Sequence, residues 1–152
     1  MKIKDKITLG TVAGMIATIP QLFLHEIFVF TGYIKYHSLQ LTGSVFLLKK
    51  LSDDPLGLFI GFVVWETIAA ILGVATVYIL ILTGKDNWWL KGLIFTIALA
   101  FISVYGFAYT LGGAKIVPFD IKTNFVVLLG SILFGLLMPY LIIKLGDIDS
   151  KL

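Results

Sequence analysis

Cysteine and arginine are both absent from the 152 residues. Without cysteine there are no disulfides, thiolate metal sites or cysteine nucleophiles. Without arginine there is no guanidinium fork to grip phosphate at two points, and all twelve basic residues are lysines. The lysines are scattered between apolar runs rather than gathered on one face, which suits lipid headgroups and membrane topology; no nucleic-acid partner is expected. Charge is scarce as well. Charged residues make up 14% of the chain, against about a quarter in soluble domains, and 59% is hydrophobic, so the lipid bilayer is the expected surrounding.

Catalytic apparatus is also missing. There is no G-x-S-x-G, no phosphate loop and no pair of carboxylates on one helix, so the chain is not expected to be an enzyme. Histidine occurs twice, as His25 and His37, and the second falls in a connector, which argues against bis-histidine haem. His25 and Glu26 lack the i, i+4 spacing that lets two side chains converge on a metal, so neither a metal nor another cofactor is expected.

What the chain does have is long apolar runs. Pro55 to Gly84 is the longest, and a helix of about twenty such residues spans a bilayer. Asp54-Pro55 provides a cap and first turn, and Thr83-Gly84 a left-handed stop. Further runs place spans near Ile7 to Phe30, Trp88 to Tyr109 and Asn124 to Leu145. Lys2, Lys4 and Lys6 ahead of the first run resemble the start of a secretory signal, but the first small-x-small site, Thr11-Val12-Ala13, comes too early for a full apolar core, and an uncleaved helix is expected.

The expected fold is therefore an all-α membrane protein, a single domain over residues 1–152, built as a four-transmembrane-helix bundle with a short interfacial helix between helices 1 and 2. That short helix is read over Ser38 to Leu51, with Leu41, Val45 and Leu48 at helical spacing and Lys49 and Lys50 at headgroups. Kinks are expected at Pro20 and Pro139.

Three of the spans carry small or polar stripes. Thr11, Gly14, Thr18, Gln21 and His25 recur at three- and four-residue steps in the first, with Gly10 and Gly14 set for close helix approach. Gly92, Thr96, Ala100, Ser103, Gly106 and Thr110 do so in the third, and Ser131 and Gly135 form a small pair in the fourth. Gly57-x-x-x-Gly61 offers a surface for a second copy's helix, and a homo-oligomer or a membrane-protein partner is expected.

Glu66 is the feature that needs explaining, because an ionisable group at bilayer depth is costly and ordinarily faces a partner or a cavity. It shares a helix face with Phe62, Ala69, Gly73 and Thr76. Two readings stand: a site that exchanges a proton or binds a cation, or a hydrogen-bonded acid that ties two helices together. The candidate ion- or proton-binding set is Glu66, His25, Gln21 and Thr18, with His25 placed to meet Glu66 where the first two long helices pack side by side. The corresponding functions are a small proton- or cation-linked transporter or channel, and a non-catalytic accessory or assembly subunit whose small-residue stripes bind a partner's helices.

K-x-x-L-G-x-x-A-G at Lys6 to Gly14, P-L-G-x-x-x-G at Pro55 to Gly61, L-T-G-K-D at Leu82 to Asp86 and K-G-L at Lys91 to Leu93 follow one another along most of the chain. In this order they resemble an uncharacterised family of small four-helix integral membrane proteins of Firmicutes. The resemblance implies a bacterial cell membrane and brings no established activity. In outline the chain is also similar to small multidrug exporters, whose acid lies in the first helix, whereas Glu66 lies in the second.

With four spans the termini share a side. Lys2, Lys4, Lys6, Lys85, Lys91, Lys144 and Lys151 fall there, and Lys35, Lys49, Lys50, Lys115 and Lys122 fall opposite, which puts both termini in the cytoplasm. A single cysteine introduced between Lys115 and Lys122 into this cysteine-free chain should react with an impermeant thiol reagent from outside only. Labelling from the cytoplasmic side alone would reverse the topology, and labelling from both sides would mean dual insertion.

Overall fold

A computed structural model describes residues 2–108, 111, 114, 116 and 120–146. The helices are α1 (Lys6–Phe30), α2 (Ser38–Gly43), α3 (Pro55–Thr83), α4 (Trp88–Thr96) and α5 (Ile121–Leu145), with a 3-10 turn at Lys49–Leu51 and a π-helix at Ile97–Ala108 that continues α4. Four segments, Lys6–Phe30, Pro55–Thr83, Trp88–Gly106 and Ile121–Leu145, are long and apolar enough to cross a bilayer. The expected ends of the third span at Tyr109, its stripe at Thr110, the Gly112-Gly113 stop and the tail from Asp147 lie outside the described residues.

Aspartate starts three of the four long helices. Asp5 accepts from the Thr8 amide at 2.6 Å, Asp54 from Leu56 at 3.0 Å and Asp120 from Thr123 at 2.8 Å, each meeting a backbone donor that the first turn leaves orphaned. The bonds from Thr8 and Thr123 hold the Asp5 and Asp120 carboxyls below the usual aspartate range. The cap at Asp120 also corrects a boundary. Hydropathy starts the last span at Asn124, but the cap draws Ile121, Lys122 and Thr123 into the first turn of α5. At the other end of α3, Gly84 has φ 81° and ψ 168°, a positive-φ conformation that suits glycine but lies outside the left-handed helical region expected of the stop. Lys91 then donates to the carbonyls of Thr83 and Gly84, both at 2.8 Å, and ties the start of α4 to the end of α3.

α1 sits between α3 and α5, α4 packs on α5, and α2 lies against the first turns of α3. The Ile3 amide donates to the Leu145 carbonyl at 2.9 Å, which pins the segment before α1 to the end of α5. Polar and small residues share the interior with Leu9, Val77, Leu80, Met138 and Ile142, and large apolar residues also cover the outside. Thr18, Thr42, Thr76, Thr96 and Ser131 are buried beside Ala13, Ala17 and Ala69, while Phe23, Phe30, Leu56, Ile71 and Ile121 are exposed. Lipid is the solvent in which that arrangement costs least.

Glycine sets the helix spacing. A Cβ on Gly10 would strike the Val74 backbone, one on Gly14 the Ala69 carbonyl and one on Gly73 the Gly10 carbonyl, so α1 and α3 meet backbone to backbone. Gly92 and Gly135 do the same for α4 and α5, with the Pro139 ring seated on Gly92. Gly57 and Gly61 are filled from within the chain as well: a Cβ there would meet the carbonyls of Leu51 and Leu39. The surface read from sequence as open to a second copy is thus covered by the connector.

Two further readings change. The stretch Ser38 to Leu51 is not one helix: α2 is six residues long, and the Ser44 hydroxyl turns back to the Leu41 carbonyl at 2.7 Å. Leu41 is buried, Val45 half-buried and Leu48 exposed. In the third span, Gly92 and Thr96 face inward, but Ser103 and Gly106 are exposed. The wider π turn moves the inward positions to four- and five-residue steps, and Ser103 donates five residues back, to the Ala98 carbonyl at 2.8 Å.

Gly14→Ala should therefore destabilise the bundle by about 1–3 kcal/mol through overpacking. Gly106→Ala, whose added methyl would meet only the Phe101 carbonyl, at 3.6 Å, among the described residues, should be neutral or slightly stabilising. Thermal unfolding in mild detergent checks the contrast.

Candidate functional site

The antiparallel register of α1 on α3 positions the site. Gly14 lies against Ala69 and Ala70; one turn further along α1 and one turn back along α3, Thr18 meets Glu66. Glu66 is only 8% exposed. The Thr18 hydroxyl oxygen is 2.7 Å from Glu66 Oε1 and 2.6 Å from the Met15 carbonyl oxygen. Glu66 Oε2 is buried and has no hydrogen-bond partner among the described residues.

These two short distances carry a chemical constraint, because a hydroxyl has one hydrogen. When the Glu66 carboxyl carries a proton, it donates to Thr18 and Thr18 donates to Met15, and both bonds close. When Glu66 is ionised, Thr18 turns its hydrogen to Oε1 and releases the carbonyl. The threonine rotor thus follows the state of the acid.

On its inner side Thr18 lines a cavity of about 70 Å³. Its polar walls are Thr18, Gln21, Thr42, Trp65, Tyr105 and Ser131, and its apolar walls include Ala69, Leu72 and Phe134. There is room for about two water molecules at ~30 Å³ each. The indole Nε1 of Trp65 is buried without a hydrogen-bond partner among the described residues. On the outer side Glu66 borders an apolar groove between α1 and α3. The Thr18–Glu66 pair stands between the two spaces.

The candidate residues divide accordingly. Thr18 and Glu66 are bonded. Gln21 shares the cavity with Thr18 and packs on Gly130 of α5. His25, 5% exposed, has its Nε2 3.1 Å from the Tyr36 carbonyl, so it fastens the end of α1 to the connector rather than meeting Glu66. Seven residues separate it from Thr18, roughly 10 Å along the helix.

Sequence reasoning missed the contacts that hold the connector. His37 Nδ1 and Glu26 Oε2 are 2.6 Å apart at a half-exposed site. The Gln40 side chain accepts from the His37 amide at 2.8 Å and donates to Asp53 at 2.6 Å. Together they clamp α2 across the end of α1 and the approach to α3, and this delivers Thr42 to the cavity. Tyr105 was hidden by the assumption of a 3.6-residue period in the third span. Among the described residues no three histidine, aspartate or glutamate side chains converge as a metal site. The chain matches no family model, no curated protein and no solved structure.

Thr18→Val keeps the shape of the side chain and removes the bond to Glu66. In a double-mutant cycle with Glu66→Leu, unfolding in detergent should give a coupling of about 0.6 kcal/mol and at most about 1.7 kcal/mol, the range for hydrogen bonds between membrane helices. Zero coupling would remove the pair as an energetic contact.

Proposed function

We propose that this chain is a small multi-pass protein of the bacterial cytoplasmic membrane, with both termini cytoplasmic, that takes part in transport with Glu66 as its intramembrane proton- or cation-binding group. The observation that carries the reading is the position of the Thr18–Glu66 pair. Its Thr18 side borders a largely apolar cavity that several polar side chains reach, and the acid keeps one buried oxygen without a donor among the described residues. Intramembrane acids with a cavity beside them serve ion and proton pathways. The threonine hydrogen supplies a means for the acid to change state without moving a helix.

The accessory reading drew on small-residue stripes held open for a partner. Gly10, Gly14, Gly57, Gly61, Gly92 and Gly135 are all engaged within the chain, which weakens that reading and leaves Ser103 and Gly106 as its exposed small residues. A bundle of four spans leaves little core around a through-path, and we take the working unit to be a homo-oligomer. No step in this role requires bond-making chemistry, and the reading is of a transporter or channel, not an enzyme.

Glu66→Gln tests it. The amide keeps shape and hydrogen bonding but has no proton to release, so the variant should fold and melt like the parent. In proteoliposomes with an internal pH dye and imposed Na⁺, K⁺ or pH gradients, its flux should fall at least about tenfold, the equivalent of ~1.4 kcal/mol. Parental flux in the glutamine variant would overturn the proposal.

A further inference from the structure

Net charge is concentrated at one end of the bundle. Lys2, Lys4, Lys6, Lys85, Lys91 and Lys144 stand at the end that carries the N-terminus, and among the described residues only two aspartates accompany them, Asp5 and Asp86. At the opposite end Lys35, Lys49, Lys50 and Lys122 are matched by four described acids, Glu26, Asp53, Asp54 and Asp120. The count of lysines alone hides this contrast, because it leaves the acids out.

The fold gathers four of the lysines. The Ile3 amide donates to the Leu145 carbonyl at 2.9 Å and the Ile3 side chain packs on the core, so Lys2 and Lys4 on either side of it are exposed beside the last turn of α5. Lys6 opens α1 directly afterwards. Lys144 lies in that last turn of α5, and its i, i+4 spacing from Tyr140 sets its Nζ 5.6 Å from the centroid of the tyrosine ring. Tyr140 in turn meets Trp88, the first residue of α4, with ring centroids 6.0 Å apart. The ammonium groups of Lys2, Lys4, Lys6 and Lys144 make no hydrogen bond and no ion pair with a described residue. Lys91 is different, being taken up by the carbonyls of Thr83 and Gly84.

Like charges held side by side repel, and an anion among them relieves the repulsion. Position sets its chemistry. Tryptophan and tyrosine mark the membrane–water boundary, and at this end Trp89 is 47% exposed and Tyr140 43%. The phosphate groups of the surrounding lipid lie at that level, within reach of a lysine whose stem rests on apolar surface. A zwitterionic lipid brings its own ammonium beside the phosphate, so charge complementarity selects a headgroup that is net negative.

We propose that the N-terminal segment pinned to α5, together with the Tyr140–Lys144 pair, forms a binding site for the headgroup of an anionic phospholipid. Lys2, Lys4 and Lys144 take its phosphate, and the bond from Ile3 to Leu145 holds the segment ready for it, which lowers the ordering cost of binding. The site is independent of Glu66 and of transport.

Trp88 and Trp89 report on the site directly. The full chain carrying Trp65→Phe is placed in phosphatidylcholine vesicles, and quenching by dibrominated phosphatidylglycerol is compared with quenching by dibrominated phosphatidylcholine. The phosphatidylglycerol should bind about fivefold more tightly, the factor that one lysine near a membrane surface is worth. Lys2→Gln, Lys4→Gln and Lys144→Gln in combination should bring the two lipids level. Two further variants keep every charge. Tyr140→Leu removes the ring beneath Lys144 and should cut the preference about twofold, the equivalent of one exposed cation–π contact. Ile3→Pro removes the amide that ties the segment to Leu145 and should lower the preference as well. Equal binding of the two lipids in the parent, or a full preference in the triple variant, would overturn the proposal. A full preference in both charge-preserving variants would do the same, since it would mean diffuse attraction without a site. Loss of the preference on adding inorganic phosphate at constant ionic strength would make free phosphate the ligand, and a preference seen only after Asp147→Asn and Asp149→Asn would assign the lysines to the chain's own tail; either result rejects the lipid site.

Discussion

Everything at Glu66 depends on how closely α1 and α3 approach. In hydrocarbon there is no hydrophobic gain from bringing two apolar helices together, so association rests on van der Waals contact and on hydrogen bonds between helices. Gly10, Gly14 and Gly73 remove the side chains that would hold the two backbones apart. The close contact fixes the register, and the register puts Thr18 opposite Glu66 one turn away. A helix pair held apart by leucines would leave a carboxyl at this depth with no partner on either oxygen.

The same use of glycine decides what the outside of the molecule is made of. Close contacts at Gly92 and Gly135, and at Gly57 and Gly61, bury the small residues and turn phenylalanine, isoleucine and leucine toward the lipid. Threonine and serine are then the polar groups left inside. Many satisfy themselves locally, as Thr76 does on the Leu72 carbonyl and Ser131 on Val127. Thr18 in addition meets a carboxyl group on another helix, whereas the partner of Thr76 across helices is the Met138 sulfur at 3.8 Å. The connector completes the inner wall. His25 on Tyr36, Glu26 on His37 and Gln40 on Asp53 hold α2 in place from three sides, and Thr42 closes one end of the cavity as a result.

Most of the fold was legible in the sequence because the bilayer imposes it. Lengths of apolar run gave the four long helices, and Asp54-Pro55 and Gly84 gave the ends of α3 in advance. The stripe of Thr11, Gly14, Thr18, Gln21 and His25 was a sound guide to the inner face of α1, with Gly14, Thr18 and His25 fully buried. Thr18 and Glu66 could be suspected singly, but their pairing depends on register, which no periodicity within one helix reveals. The failures have particular causes. The helical period was carried through residues 97–108, where the π turn shifts the inner face from Ser103 and Gly106 to Val104 and Tyr105. Gly57 and Gly61 were read as an outer surface because the connector's path back over α3 leaves no mark in local composition. Glu26 and His37 are eleven residues apart on separate elements, and only the fold of the connector brings them within 2.6 Å.

The choice between helix glue and a working acid turns on what a carboxyl offers that an amide does not. A group selected only to bind two helices would use both its oxygens, or be a glutamine with a donor and an acceptor to place. Glu66 uses Oε1 on Thr18 and leaves Oε2 buried without a donor among the described residues, an arrangement that gives up part of what a structural hydrogen-bonding group would return. Thr18 has two acceptors within 2.7 Å and one hydrogen to give them. That shortage is removed by a proton on the acid and restored when the proton leaves. A glutamine would hold the threonine in one of these states permanently. The arrangement therefore favours a residue whose hydrogen can be lost, set between a cavity with polar side chains in its wall and an apolar groove.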